Sequence, residues 1–445
     1  MQKVIRGTAL DLSSEGKGVV KTKNEIIFVD GLFPGEEADI EILYQRAGVF
    51  FGKVKKLYNL SKDRIQPKCK ICTSCGGCQY QQLNYQSQLV YKTKRVKEAL
   101  SRIGHVKADV LPCIGMDNPY NYRNKIQVPF NKDKNGKVKF GFYKENTHII
   151  MPIKECAIED KRAAPILWDI KLLLEDMNIP VYNEDNGKGV LRYALIRTSH
   201  HYDELMVVLV TAQMNFPGQR NFINELVNRH PEITTIVENV NIRHTNVILG
   251  FQEKVLFGPG YIKDDILGLT FEISASSFFQ VNPIQVEKLY ASALNLIDFS
   301  KKEVVLDAYS GVGTIGLIAA KNAKKVISVE INKSAHKNAI ENAKRNNVDN
   351  IEFVCADAGE YISKSDERID VLIMDPPRSG SDETFLSTVM NKQIKKIIYI
   401  SCNPETLARD IAYLSSLYKV TYVRPVDMFP MTAHVETIVG LALKK

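Results

Sequence analysis

No stretch of this 445-residue sequence approaches the roughly 18 apolar residues that a membrane span needs, so no transmembrane segment and no membrane partner are expected. The opening residues, MQKVIRGTALDLSSEGKG, lack an apolar core and a small-residue cleavage site, and the expected location is the cytoplasm. A fixed-period repeat and a low-complexity linker are also missing, so domain boundaries rest on pattern alone. Basic excess is absent from most of the chain. Residues 1–160 hold 27 Lys and Arg against 17 Asp and Glu, and the remainder holds 32 against 34. The net charge of +8 therefore comes from the front third, where Lys53, Lys55, Lys56 and Lys92, Lys94, Arg95, Lys97 can meet phosphates or simply form a solvated face.

What is present is an average globular composition, 44% hydrophobic and 25% charged, in a chain long enough for two or three domains. Residues 1–60 alternate short apolar runs with glycine turns, the pattern of a small β-barrel. Residues 61–273 are rich in strand patterns (KIQVPF, KVKFGFY, ALIRTS, ELMVVLVTA), after a basic helical stretch, QLVYKTKRVKEALSRIG. From 274 to 445, apolar strands alternate with helices, which specifies an α/β, doubly wound sheet with its ligands beyond the carboxyl ends of the strands.

Five of the eight cysteines, Cys69, Cys72, Cys75, Cys78 and Cys156, fall within one ninety-residue stretch, a clustering that suggests metal ligation before disulfides. By spacing alone, Cys69, Cys72, Cys75 and Cys78 form an evenly spaced local set able to hold zinc or an iron–sulfur cluster. Cys355, inside an apolar strand pattern, reads as a small buried hydrophobe.

The segment VVLDAYSGVGTIG is a strand, a glycine turn and a helix start, with Asp307 before Tyr309, Gly311 and Thr314. Glu330 ends the next strand pattern, where a carboxylate can accept from both ribose hydroxyls. Asp357 and Asp375 end the two strand patterns that follow. Each acid alone reads as a helix cap or loop carboxylate. The ordered series resembles the class I methyltransferases, which implies a Rossmann-like fold and S-adenosylmethionine as cofactor.

The strand pattern KIIYIS runs into Cys402, Asn403, Pro404 and a helix, and the helix N-terminus is expected to favour a thiolate. Glu436, in the run Thr432, Ala433, His434, Val435, Glu436, Thr437, reads either as a solvated strand-edge residue or as a base. Taken together, SFFQVN with Gln280, DAYSGVGTIGL, VISVE, the DPPR of Asp375 to Arg378, SCNP with Cys402 and HVET with Glu436 resemble the RNA uracil-5 methyltransferase family over the whole chain. The likeness is greatest to its bacterial 23S rRNA branch.

That resemblance implies a TRAM domain at 1–60, a central α+β RNA-binding domain at 61–273 and a catalytic domain at 274–445. It implies Cys402 as nucleophile, Glu436 as general base, and Gln280, Tyr309, Glu330, Asp357 and Asp375 as cofactor contacts. Thr314 departs from the Asn of some members. It also implies a [4Fe-4S] cluster on Cys69, Cys75, Cys78 and Cys156, with 23S rRNA as substrate. A monomer is expected. A radical route is not expected, because its C-x3-C-x2-C loop is missing. The competing readings are a tRNA uracil-5 or an RNA cytosine-5 methyltransferase, an adenine-N6 or glutamine enzyme suggested by Asp375-Pro376-Pro377, and a non-catalytic RNA-binding factor. The helix from Lys92 to Arg102, Arg123, Tyr122 and Phe278 are candidate RNA contacts.

Overall fold

The computed structural model describes residues 3–445. By internal contacts the chain forms two compact units, one combining residues up to Pro119 with Asp375–Lys445, the other Tyr120–Met374.

In the first unit the N-terminal strands close into a five-stranded barrel, in the order Val4–Leu12, Gly18–Lys21, Ile26–Asp30, Val49–Leu57, Glu37–Arg46. Period-two alternation builds it, since Val20, Ile27, Val29, Ala38 and Ile40 meet inside while Lys21, Ile26 and Asp30 face out. The barrel is narrow enough to demand glycine at one crossing, where a Cβ on Gly18 would stand 2.3 Å from the Leu32 carbonyl oxygen. The helix Tyr85–Arg102 follows, started by Asn84, whose side chain accepts from the Ser87 N–H at 2.9 Å. From the far end of the chain come three antiparallel strands, Lys396–Ser401, Glu436–Leu443 and Tyr418–Val426, with the helix Pro404–Leu414 after the first. The helix Tyr85–Arg102 packs against that helix and against the strand Tyr418–Val426.

The second unit holds a seven-stranded sheet in the order Gln252–Phe257, Thr235–Val240, Leu205–Thr211, Leu191–Thr198, Lys125–Lys132, Val138–Tyr143, Ile150–Pro152. Its strands Leu191–Thr198, Leu205–Thr211 and Thr235–Val240 are buried along their whole length, which is why their sequences read as continuous apolar runs. Two helices, Ala163–Asp176 and Gln219–Arg229, stand where the sequence reading gave mostly strands. The same unit carries parallel strands in the order Ile351–Val354, Lys325–Val329, Val304–Ala308, Val371–Met374, the βα alternation expected from the sequence. Among the described residues no helix is long and apolar enough to cross a membrane.

Candidate active site

In the second unit the strand Val304–Ala308 delivers the chain into a turn that few residues can make. Tyr309, Gly311 and Gly313 all have positive φ (63°, 58° and 80°), after which the helix Thr314–Ala320 begins. Asp307, 1% exposed, accepts from the Gly316 N–H through Oδ2 at 2.9 Å, and a Cβ on Gly316 would come within 2.7 Å of that oxygen. Glu330 follows the strand Lys325–Val329 and accepts from the Gly311 N–H through Oε2 at 2.8 Å and from the Asn332 N–H through Oε1 at 2.7 Å. Its carboxylate is thus fixed beside the glycine turn, while the Ser310 hydroxyl there is buried without a partner. Asp357 is exposed and caps the helix Ala358–Lys364 through the Glu360 N–H at 3.0 Å. Gln280 lies on the loop before the helix Pro283–Leu294, held by Asn124, whose side chain donates to the Gln280 carbonyl at 3.0 Å. Thr314 is the first residue of its helix and buried.

In the first unit the strand register brings two distant residues together. Ser401 pairs with Thr437 in antiparallel fashion, which sets Cys402, one residue on, against Glu436, one residue back. Asp375 and Arg378 share their electrostatic neighbourhood. Burial pushes the Cys402 thiol up to about 11; the charges of Glu436 and Asp375 push the same way and Arg378 opposes them. Burial, followed by the charge of Asp375, holds Glu436 up at about 8 against the pull of Arg378, and burial alone lifts Asp375 to about 7. The thiolate expected from the helix N-terminus is therefore corrected: desolvation and two carboxylates outweigh the half-charge of one helix end.

Arg378 and Asp410 are contributors that motif reading missed, although DPPR contains the first. The Arg378 carbonyl accepts from Asn403 Nδ2 at 3.0 Å and from the Thr406 hydroxyl at 3.2 Å, and its guanidinium reaches His434 Nδ1 at 3.4 Å. Asp410, fully buried, accepts from the Ser381 N–H at 2.8 Å and the Tyr399 hydroxyl at 2.6 Å, so it pins the end of the DPPR turn to the strand that carries Cys402.

The segment before Glu436 is clamped from the N-terminal side. The Lys92 ammonium is buried against the Asp427 carboxylate and also donates to the Phe429 carbonyl at 3.1 Å, while the Tyr85 hydroxyl donates to Asp427 at 2.9 Å. Gln88 accepts from the Met431 N–H at 3.1 Å, and Arg95 donates to the Ala433 carbonyl at 2.9 Å. Gln79 accepts from the Ala433 N–H at 3.2 Å, and the Tyr80 N–H donates to the Met431 carbonyl at 2.9 Å, so the chain just beyond Cys78 joins the clamp. Lys92 is thus corrected from phosphate contact to buried ion pair, and Lys94 is half-buried and paired with Asp11 at 2.6 Å, whereas Lys97 and Arg102 stay exposed. Removing one member of such a pair strands the other charge. Lys92→Ala is expected to cost about 3–5 kcal/mol of stability. Denaturant unfolding beside Arg102→Ala, at an exposed position, measures it; equal losses for the two variants would contradict the pairing.

The four thiols between 69 and 78 perturb one another. Burial lifts Cys78 to about 12, and of its neighbours Cys75 acts most, then Cys69, then Cys72. Cys72 is buried on the short helix Cys72–Cys75, while Cys69, Cys75 and Cys78 are half-exposed. Among the described residues no three His, Cys, Asp or Glu side chains already stand in a metal-holding arrangement. Cys156, half-buried in the second unit, hydrogen-bonds Glu159. Other expectations are revised: Cys355 is exposed, because it falls beyond the strand Ile351–Val354, and Tyr122 is buried, which removes it as a base-stacking candidate. Phe278 is 71% exposed and keeps that candidacy.

A family model described as tRNA (Uracil-5-)-methyltransferase matches residues 252–445. An "uncharacterized RNA methyltransferase" of Clostridium tetani is 42% identical over 432 residues, covering 96% of this chain and 94% of the relative. Another so described, from Staphylococcus aureus, is 39% identical over 98% of each chain. Among solved structures, Pyrococcus abyssi tRNA (uracil-54, C5)-methyltransferase in complex with S-adenosyl-L-homocysteine matches with a TM-score of 0.80 and 29% identity, over 98% of this chain and all of the other.

Proposed function

Because the chain belongs to the RNA uracil-5 methyltransferase family, we propose that it methylates carbon 5 of a uridine in RNA, with Cys402 as covalent nucleophile and Glu436 as the base. The observation that carries this reading is the strand register that sets Cys402 against Glu436. Carbon 5 of uracil is a weak nucleophile. Addition of the Cys402 sulfur to carbon 6 opens the 5,6 double bond and moves its electrons into an enolate, which makes carbon 5 reactive. S-adenosylmethionine, when bound, supplies the electrophilic methyl group. Glu436 then takes the proton left on carbon 5, the ring double bond re-forms, and the sulfur departs with the electrons of its bond to carbon 6. The thiol must first lose its own proton to solvent, a step that burial opposes and the charge of Arg378 favours.

For the cofactor the residues fit. Glu330 is fixed beside a turn of positive-φ backbone that allows close approach, and the Ser310 hydroxyl in the same turn is buried without a partner. Gln280, Asp307, Tyr309, Gly311, Thr314, Glu330, Asp357 and Asp375 are the proposed binding residues. One oxygen of Asp357 is already engaged by a helix N–H group, which leaves its second oxygen for the ligand. For the [4Fe-4S] cluster, thiolates are the right donors, and the resemblance to the family favours Cys69, Cys75, Cys78 and Cys156 over the all-local set. Cys156→Ser is expected to lose the visible iron absorbance of anaerobically purified protein, and Cys72→Ser to keep it; the reverse pattern would hand the fourth position to Cys72.

We propose a TRAM role for the barrel, whose strand Val49–Leu57 exposes Lys53, Lys55 and Lys56 near a stacked Tyr44–Phe51 pair at 4.8 Å. For the target we propose 23S rRNA, from the resemblance of the barrel and cysteine run to that branch. The full-length match to a tRNA enzyme favours tRNA instead. Mapping 5-methyluridine in both RNAs from cells lacking the gene decides between them. The activity itself is tested with RNA carrying 5-fluorouridine, in which fluorine replaces the proton to be removed: wild-type protein is expected to form an adduct that survives denaturation. RNA binding with no such adduct and no 5-methyluridine product would leave the non-catalytic reading standing.

A further inference from the structure

Three cations converge in the second unit, and among the described residues none of them is joined to a carboxylate by an ion pair. In the antiparallel pairing of Lys125–Lys132 with Leu191–Thr198, Lys125 stands directly opposite Arg197. Directly opposed like charges destabilise a sheet. Arg123, two residues before Lys125, falls on the same face by the alternation of an extended chain, and its Nε donates to the Lys125 carbonyl at 3.1 Å. Arg197 is 5% exposed, and its Nε is buried without an acceptor. The charges that Lys125 feels are those of Arg197 and Arg123, and with burial acting first they draw its ammonium down to about 8. Arg197 is drawn down to about 10 by burial, against the opposing pull of Glu253. Glu159, whose backbone bridges that of Arg123, is the carboxylate on this side; burial lifts it to about 8 against the pull of the Arg123 charge, and among the described residues it forms no ion pair with any of the three cations.

The cluster is also joined to the loop that carries Gln280 and Phe278. Arg197 donates through Nη2 to the carbonyls of Ala275 at 3.2 Å and Ser277 at 2.6 Å, and Asn124, between Arg123 and Lys125, donates to the carbonyls of Gln280 and Val281 at 3.0 Å each. A buried guanidinium with a spare N–H, a facing ammonium and a third cation on the same face make an anion receptor, and a tetrahedral anion with several acceptor oxygens matches it better than one carboxylate.

We propose that Arg123, Lys125 and Arg197 form a phosphate site that seats one phosphodiester of the RNA substrate beside the loop Ala275–Asn282. The proposal rests on the reading of RNA as substrate. Seated there, the backbone would lie next to exposed Phe278, so the site fixes the strand from which the target base is withdrawn.

The test is equilibrium RNA binding as a function of salt, with a 23S rRNA transcript and with unfractionated tRNA, for wild type, Lys125→Met and Lys125→Arg. Loss of one phosphate contact is expected to weaken binding of both RNAs roughly tenfold at 0.1 M salt and to flatten the log–log salt slope by about 0.7 to 1. Arginine at 125 is expected to restore most of both. The melting temperature of Lys125→Met is expected to equal or exceed that of wild type, because a like-charge opposition is removed, which separates the binding loss from misfolding. An unchanged salt slope overturns the proposal. So does a loss of S-adenosylhomocysteine affinity with RNA affinity intact, which would assign the cations to the cofactor's carboxylate. Failure of the methyltransferase reading shows elsewhere, as a wild-type protein that makes no 5-fluorouridine adduct whatever its salt slope.

Discussion

Cys402→Ala is expected to abolish methyl transfer to uridine by a factor of roughly 10⁴ or more, because no other group can open the 5,6 double bond. Two assays read it: incorporation of labelled methyl into RNA, and the denaturation-resistant adduct with 5-fluorouridine RNA, which disappears with the sulfur. RNA affinity is expected to persist, since the thiol is one small group in an extended interface. A Cys402→Ala protein that still methylates carbon 5 would refute the covalent route while leaving the fold reading intact. Serine is no substitute here, because an alcohol is a far weaker nucleophile than a thiol at neutral pH.

Glu436→Gln is expected to separate the chemistry into halves. The sulfur still adds and the methyl group still transfers, but the carbon 5 proton has no acceptor, so ordinary uridine RNA should remain bound covalently and turnover should fall about 10²- to 10⁴-fold. Accumulation of methylated, protein-linked RNA on a denaturing gel checks this. Free methylated product at the wild-type rate would remove Glu436 from the role. The wild-type glutamate is held at about 8 by burial and then by Asp375, so the limb of the rate profile that depends on its ionised form should rise with pH and level off above about 8. Stability runs the other way. A carboxyl whose folded pKa is raised contributes most below its ordinary value near 4.5 and loses that contribution as pH climbs through 8. Glu436→Gln should therefore melt higher than wild type at pH 9, with the gap closing toward pH 5. Asp375, raised to about 7, adds a slope of the same sign that both proteins share.

Much of this site was readable because its chemistry is local. The glycine turn after Asp307, Glu330 at the next strand end and Cys402 between a strand and a proline-started helix each declare themselves within a dozen residues. What no local pattern contains is register. Cys402 and Glu436 are 34 positions apart, and only the pairing of Ser401 with Thr437 makes them neighbours. Lys92 misled for a related reason: it sits in a basic run that looks like a solvated face, and its partner Asp427 lies 335 residues away. The helices Ala163–Asp176 and Gln219–Arg229 were hidden by the apolar strands around them, because short apolar runs carry either period. The pKa of Cys402 failed in a different way. A helix end is visible in sequence, but the depth at which a thiol is buried is not.

The buried pairing of Lys92 with Asp427 also sets a schedule for the newborn chain. At about 5–20 residues per second, roughly 15 to 70 s separate the synthesis of these two residues. Through that interval the first hundred residues wait on the ribosome with an amphipathic helix uncovered and its central ammonium in water. The unit that holds Cys402 can close only once the carboxyl terminus has emerged, so a protein shortened by its last twenty residues would lose its beginning as well as its end.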